Sequence, residues 1–120
     1  MPRHSEIVGA FYRPYGELIL SHLPLHAELF LVPEPTNPHD TNAIAVWVSS
    51  EEILKSQSQS FDGQNDLDLL NTEFHHIGYL PRTVAETLKP QWPHENGEPQ
   101  SIAAYFTILS TGKYGVIFDL

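Results

Sequence analysis

The chain predicts a mainly β domain: six strands curved into a small barrel or a strongly bent sheet, with one or two short helices. Three observations predict it. Short apolar, partly β-branched runs recur along the chain, each too short for a typical globular helix. Clusters of Pro, Gly, Asn and Asp separate them, which is turn chemistry. The length, 120 residues, fits one domain with a single hydrophobic core.

The elements follow in order. Glu6 to Tyr12 reads as the first strand, and Arg13-Pro14-Tyr15-Gly16 as a turn. Leu18-Ile19-Leu20 fits either a helix or irregular structure. Ala27 to Val32 is a strand that feeds Pro33 to Pro38, where three prolines fix φ and remove backbone donors, so neither a helix nor an interior strand can form. Asn37 and Asp40 have short side chains suited to closing a tight loop on nearby N–H groups. Ala43 to Val48 then has the pattern of a core strand. His75 to Leu80 is the next strand. It runs into a two-turn helix opened by Pro81, with Val84, Ala85 and Leu88 on one face and Pro90 as its stop. Gln91 to Gln100 reads as a polar loop. Ser101 to Leu109 and Tyr114 to Phe118 are strands around Thr111-Gly112-Lys113, a hairpin-like turn.

Residues 49–74 read as an acidic insertion. Ser49 to Lys55 fits one helical turn, Ser56 to Ser60 is a low-complexity tract, Phe61 to Asp66 has turn chemistry, and Asp66 to Leu70 suits a short docked helix. The whole chain has six Lys+Arg against fifteen Asp+Glu, and six of the acids with one base fall in this segment. Such a balance is unlike a generic nucleic-acid binder, which carries a basic face. Cysteine is absent, which excludes disulfides and thiolate metal sites. The first residues lack the apolar core of a signal peptide, and no apolar run approaches the about 20 residues that span a bilayer. A soluble, cytoplasmic protein without membrane partners is expected.

Two motifs stand out. One is Glu34-Pro35-x-Asn37-Pro38-x-Asp40-x-Asn42-Ala43-Ile44-Ala45-Val46. The other is Ile77-Gly78-Tyr79-Leu80-Pro81-Arg82 with Ala85 and Leu88. Together, with Val8-Gly9 and Tyr12 near the start, they resemble the HIRAN domain over roughly residues 6 to 118. The resemblance implies an OB-like six-stranded barrel that captures the free 3′-hydroxyl end of single-stranded DNA, as such domains do in fork-remodelling translocases. It implies a partner helicase or nuclease that carries the chemistry, and no enzyme activity or cofactor of the domain's own.

Carried over residue by residue, the resemblance makes Tyr12 the base-stacking aromatic, Asp40 the carboxylate that meets the terminal hydroxyl, and Asn37 the preceding loop amide. Tyr79 and Arg82 stand at the strand-to-helix junction that faces phosphate. Phe11 and Arg13 flank Tyr12 with the order of cation and second aromatic exchanged relative to well-known members, and Arg13 joins the site as a cation. The physical needs agree: a stacking ring, an acceptor for the hydroxyl, and cations or N–H groups for phosphate. The same residues have plainer readings. Tyr12 and Tyr79 can be strand aromatics with wet hydroxyls, Asn37 and Asp40 turn formers, Asn42 a structural strand-starter, and Arg82 a surface residue. A cation at a helix start is disfavoured by the helix dipole unless an anion binds there.

Other chemistry finds little support. Seven histidines include His22 and His26 at helical spacing, but Pro24 lies between them; His75 and His76 are adjacent, and no set gives three or four metal ligands. There is no Gly-rich phosphate loop, no Gly-x-Ser-x-Gly motif and no cysteine nucleophile. The leading expectation is a module that binds single-stranded DNA in repair or fork processing. The alternative is a protein-interaction module of the same fold with the acidic insertion as its contact surface. A small metal-dependent hydrolase ranks third.

Overall fold

The computed structural model describes residues 2–56 and 73–120. Its main element is a six-stranded antiparallel sheet with strand order β1-β8-β7-β2-β3-β4. The strands are β1 (Pro2–Glu6), β2 (Glu28–Pro33), β3 (Ile44–Ser49), β4 (Phe74–Tyr79), β7 (Ile102–Ile108) and β8 (Tyr114–Asp119). A separate two-stranded ribbon, β5 (His94–Glu95) with β6 (Glu98–Pro99), turns at Asn96-Gly97, both with positive φ. Three short helices complete the described residues: α1 (Gly16–His22), α2 (Ser50–Ser56) and α3 (Arg82–Leu88).

The mainly β class holds, and five of the six expected strands lie within a residue or two of where the apolar runs place them. The first differs. The strand expected over Glu6 to Tyr12 begins earlier, at Pro2, and Ala10–Tyr12 is a 3-10 turn. Gly9 is the cause: at φ 75° it leaves extended geometry, and the turn then buries Ala10. The expected barrel is consequently not closed. The two edge strands meet at one isolated bridge, Val8 with Tyr79, because the chain turns away at Gly9 before a ladder can grow. That bridge has two hydrogen bonds of 2.8 Å, while the preceding residue, Ile7, donates to Tyr114 of β8 at 2.9 Å. The chain thus steps from one edge of the sheet to the other within two residues.

One face of the sheet carries the core. Leu29 and Leu31, Ile44, Val46 and Val48, Ile77, Ala104, Phe106, Val116 and Phe118 alternate inward along their strands. Helix α1 covers them with Ile19 and Leu20, which resolves the open reading of Leu18 to Leu20 in favour of a helix. Helix α3 adds Ala85 and Leu88. Pro81 caps this helix rather than occupying its first position, and Arg82 opens it. A 3-10 turn at Lys89–Gln91 follows and seats Trp92, whose indole N–H donates to the Gln100 carbonyl at 2.6 Å.

The start of the expected insertion belongs to the domain. Helix α2 is longer than a single turn and buries Ile53 in the core. Ser50 N–H donates to the Glu73 carbonyl at 2.8 Å, so the two flanks of the segment meet. The low-complexity tract, the Phe61 to Asp66 turn and the Asp66 to Leu70 helix lie outside the described residues.

Gly78 makes the edge bridge possible. A Cβ there would stand 2.7 Å from Ile7 Cγ2 and 2.8 Å from the Val8 carbonyl oxygen. Gly78→Ala is therefore expected to push the bridging segment off β4 and to cost about 1–3 kcal/mol in urea denaturation, as overpacking does. A cost under about 0.5 kcal/mol, the range of ordinary surface changes, would show that the bridge is not tightly packed.

Candidate functional site

The proline loop holds itself in shape with its own polar side chains. Asn37 Oδ1 accepts from the backbone N–H of His39 at 2.8 Å and of Asp40 at 3.3 Å. Asp40 Oδ1 accepts from Asn42 N–H at 2.9 Å. Glu34 N–H donates to the Ala43 carbonyl at 2.8 Å and closes the base of the loop. The turn-forming reading of Asn37 and Asp40 is thus correct as structure, and it leaves Asp40 Oδ2 without a hydrogen bond among the described residues.

Glu34 joins this loop to β4. Its Oε1 accepts from Asn37 Nδ2 at 3.0 Å and from the Tyr79 hydroxyl at 3.1 Å. Tyr79 also faces the turn that carries Tyr12: its ring edge lies 3.8 Å from where a Gly9 Cβ would be, and Tyr12 N–H donates to the Gly9 carbonyl at 3.1 Å. Tyr12 itself is 83% exposed and makes an edge contact with Phe11, also exposed. Because both rings sit on a 3-10 turn, their directions are not set by strand alternation.

His76 and Trp47 extend the cluster. Residues 76 and 79 would point to opposite faces of a regular strand. The pairing of β3 with β4 runs Val46 with Gly78 and then Trp47 with His76, which leaves Ile77 as an extra residue. This bulge brings His76 and Tyr79 to one face, with rings 4.7 Å apart and nearly perpendicular. On its other side the His76 ring stacks on Trp47 at 4.9 Å and 14°. His76 donates from Nε2 to the Gly78 carbonyl at 2.9 Å.

Arg13 stands beside this group. Its Nε is buried and has no hydrogen-bond acceptor among the described residues. Burial, then the charge of Arg13, push the His76 pKa below 6.5; the Gly78 hydrogen bond and the Glu34 charge oppose the shift. Burial and the hydrogen bond to Glu34 raise the Tyr79 pKa, while Arg13 works against them. Arg13, His76, Tyr79 and Glu34 thus form one electrostatic group.

Five of the six residues singled out from sequence connect. Asn37, Asp40 and Tyr79 are joined through the loop and Glu34, Arg13 by charge, and Tyr12 through the Gly9 turn. Arg82 does not join them: its side chain is 72% exposed and pairs with Glu86 at 3.5 Å. Lys113 is likewise engaged elsewhere, with Glu6 at 3.2 Å. The other flank of the proline loop borders a groove of about 260 Å³, where Lys89 and Trp92 face Asn42 and Thr41. Asn42 Oδ1 there is buried and has no hydrogen-bond partner among the described residues. Glu34, His76 and Trp47 were missed as site residues. Glu34 lies within the loop motif, and its neighbours Asn37 and Asp40 were signal enough to include it. His76 could not be found, because only the bulge puts it beside Tyr79.

The loop motif, the strand-to-helix motif and the turn after Val8-Gly9 come together in space as one site. A family model for the HIRAN domain matches residues 5–104. The chain belongs to the HIRAN domain family. HIRAN domains are nucleic-acid-binding modules. No curated protein and no solved structure gives a significant match. Among the described residues no helix is long and apolar enough to cross a membrane.

The His76 shift makes a prediction. The fold favours the neutral ring, whereas the unfolded chain takes up its proton near 6.5. The contribution to stability is therefore complete above pH 6.5 and is lost as pH falls from there through the lower folded value. Denaturation midpoints across this range should fall less steeply for His76→Gln than for the parent. An unchanged acid slope in the variant would assign the loss to other groups.

Proposed function

We propose that this HIRAN domain binds single-stranded DNA, with preference for a free 3′-hydroxyl end, and serves as a recognition module for a helicase or nuclease in DNA repair or fork processing. The observation that carries the reading is the state of Asp40. One carboxylate oxygen is committed to the Asn42 N–H, which fixes the group in the rigid loop, and the other has no partner among the described residues. A terminal hydroxyl can donate to that oxygen. An internal nucleotide has no such hydroxyl, and a 3′-phosphate brings charge against the carboxylate. Discrimination thus rests on one hydrogen bond to an ionised acceptor, a stronger type than a neutral pair.

The neighbours supply the remaining needs. Tyr12 is a freely accessible ring for base stacking. Arg13 is a cation beside His76 and Tyr79 that can attract a phosphate. Lys89 offers a second cation across the loop. Arg82, already paired with Glu86, contributes only by giving up that exposed pair. The overall charge of −9 opposes long-range attraction, so binding depends on these short-range contacts, and with so few phosphate contacts it falls only shallowly with salt. The domain performs no catalysis in this reading, and its partner enzyme supplies the chemistry.

Fluorescence anisotropy at low salt tests it with three matched single strands, ending in a 3′-hydroxyl, a 3′-phosphate and a blocked 3′ end. The hydroxyl strand is expected to bind at least about tenfold more tightly, the worth of one charge-assisted hydrogen bond. Asp40→Asn keeps the oxygen that caps Asn42 but replaces the free acceptor with a donor. It should retain the thermal midpoint and lose the preference. Equal binding to all three strands would refute end capture. No binding at all would favour the protein-interaction alternative.

A further inference from the structure

The outward face of β2, β3 and β4 is unusual for a solvent-facing sheet surface. Phe30, Trp47 and His76 lie directly across from one another on adjacent strands, and Phe74 makes an edge contact with Phe30 at 5.9 Å. None of these rings is fully buried, and Phe74 is 41% exposed. Trp47 and Phe74 form a ridge between two shallow depressions. One, of about 350 Å³, is walled by Phe30 and Val32. The other, of about 270 Å³, is walled by His76 and Arg13.

We propose that this aromatic row is a stacking platform for the nucleotides on the 5′ side of the captured end, with Arg13 holding a phosphate between the platform and the end site. This rests on the reading that the proline loop binds a single strand. Three features favour a nucleic-acid strand as occupant. The row is continuous with the end site, since Tyr79 touches His76, His76 stacks on Trp47, and Trp47 pairs with Phe30. The depression bordered by Phe30, Val32, Trp47 and Phe74 is open and walled mainly by apolar side chains, which accept any base. At the junction of row and end site stands the Arg13 guanidinium, which borders the depression beside Trp47 and His76. Its positive charge suits a phosphate, which a strand brings at every step.

The expected behaviour is specific. Affinity for thymidine strands with a free 3′ end should rise at least about tenfold between two and eight nucleotides, the scale of one base stacked on an aromatic side chain. Binding of the longer strand should quench tryptophan emission. The signal comes from Trp47, because Trp92 is buried and its N–H is bonded to Gln100. Trp47→Ala should abolish the length gain, and Phe74→Ala, at the rim of the row and outside the end site, should reduce it and keep the preference for the 3′-hydroxyl. Trp47→Phe, which preserves a ring in the row, should retain most of the length gain and lose the quench. Arg13→Gln should lower the salt dependence by about 0.7 in the slope of log affinity on log salt, the value for one single-strand phosphate.

Four outcomes separate the two readings. A length gain that needs Trp47, with end preference intact, supports both. End preference with no length gain and no quench overturns the platform and leaves end capture standing. Length-dependent binding and quench without end preference support the platform and overturn end capture. A quench that persists in Trp47→Phe places the signal on Trp92 and overturns the platform.

Discussion

The pair of hydrogen bonds between Val8 and Tyr79 holds the site in place. They join the two edges of an otherwise open sheet, and they do so at Tyr79, whose side chain reaches the proline loop. Gly78 lets the bridging segment lie flat on β4, and Gly9 sends the chain off the sheet into the turn that carries Tyr12 and Arg13. Without the bridge, Tyr79 would sit on a free edge, and the turn would have no fixed relation to the loop. Two glycines one residue away from the paired positions thus set the distance between an aromatic, a cation and a carboxylate that come from distant parts of the sequence.

The electrostatics resolve the tension between an acidic chain and a nucleic-acid-binding family. Glu34 stands at the centre of the site, yet two donors occupy one of its oxygens, and Arg13 lies in its field. The carboxylate acts as an internal fastener between loop and strand. Much of the formal excess of acid lies in the 49–74 segment. A module with few cations gains little from long-range steering, and its selectivity then depends on how its polar groups are placed.

The sequence was informative wherever a local rule decides the outcome. Pro33, Pro35 and Pro38 exclude regular structure by themselves, and the Asn37 and Asp40 side chains bond the backbone two or three residues on, so the loop and the strand after it could be read directly. Both motifs carried the family resemblance for the same reason. The reading failed where geometry depends on a partner strand. Nothing in Glu6 to Tyr12 shows that Gly9 adopts a positive φ, so the sequence alone extends the strand through it and implies a closed barrel. The bulge at Ile77 exists only in the register of β4 against β3, and the contact of His76 with Tyr79 and Trp47 depends on it. By sequence alone helix α2 reads as the edge of an insertion, because its polar residues outweigh Ile53, the side chain that anchors it in the core.

The hydrogen bond between Ser50 and Glu73 has an evolutionary consequence. It fixes Ser50 beside Glu73, so the chain between them is closed at two set points. The entropic cost of closing a chain segment rises by only about 0.6 kcal/mol each time its length doubles. The number of residues between 56 and 73 can therefore change between related chains at little expense to the fold, whereas helix α2 is held by Ile53 in the core. Diversification can proceed there while the proline loop, two glycines and a bulge keep their positions.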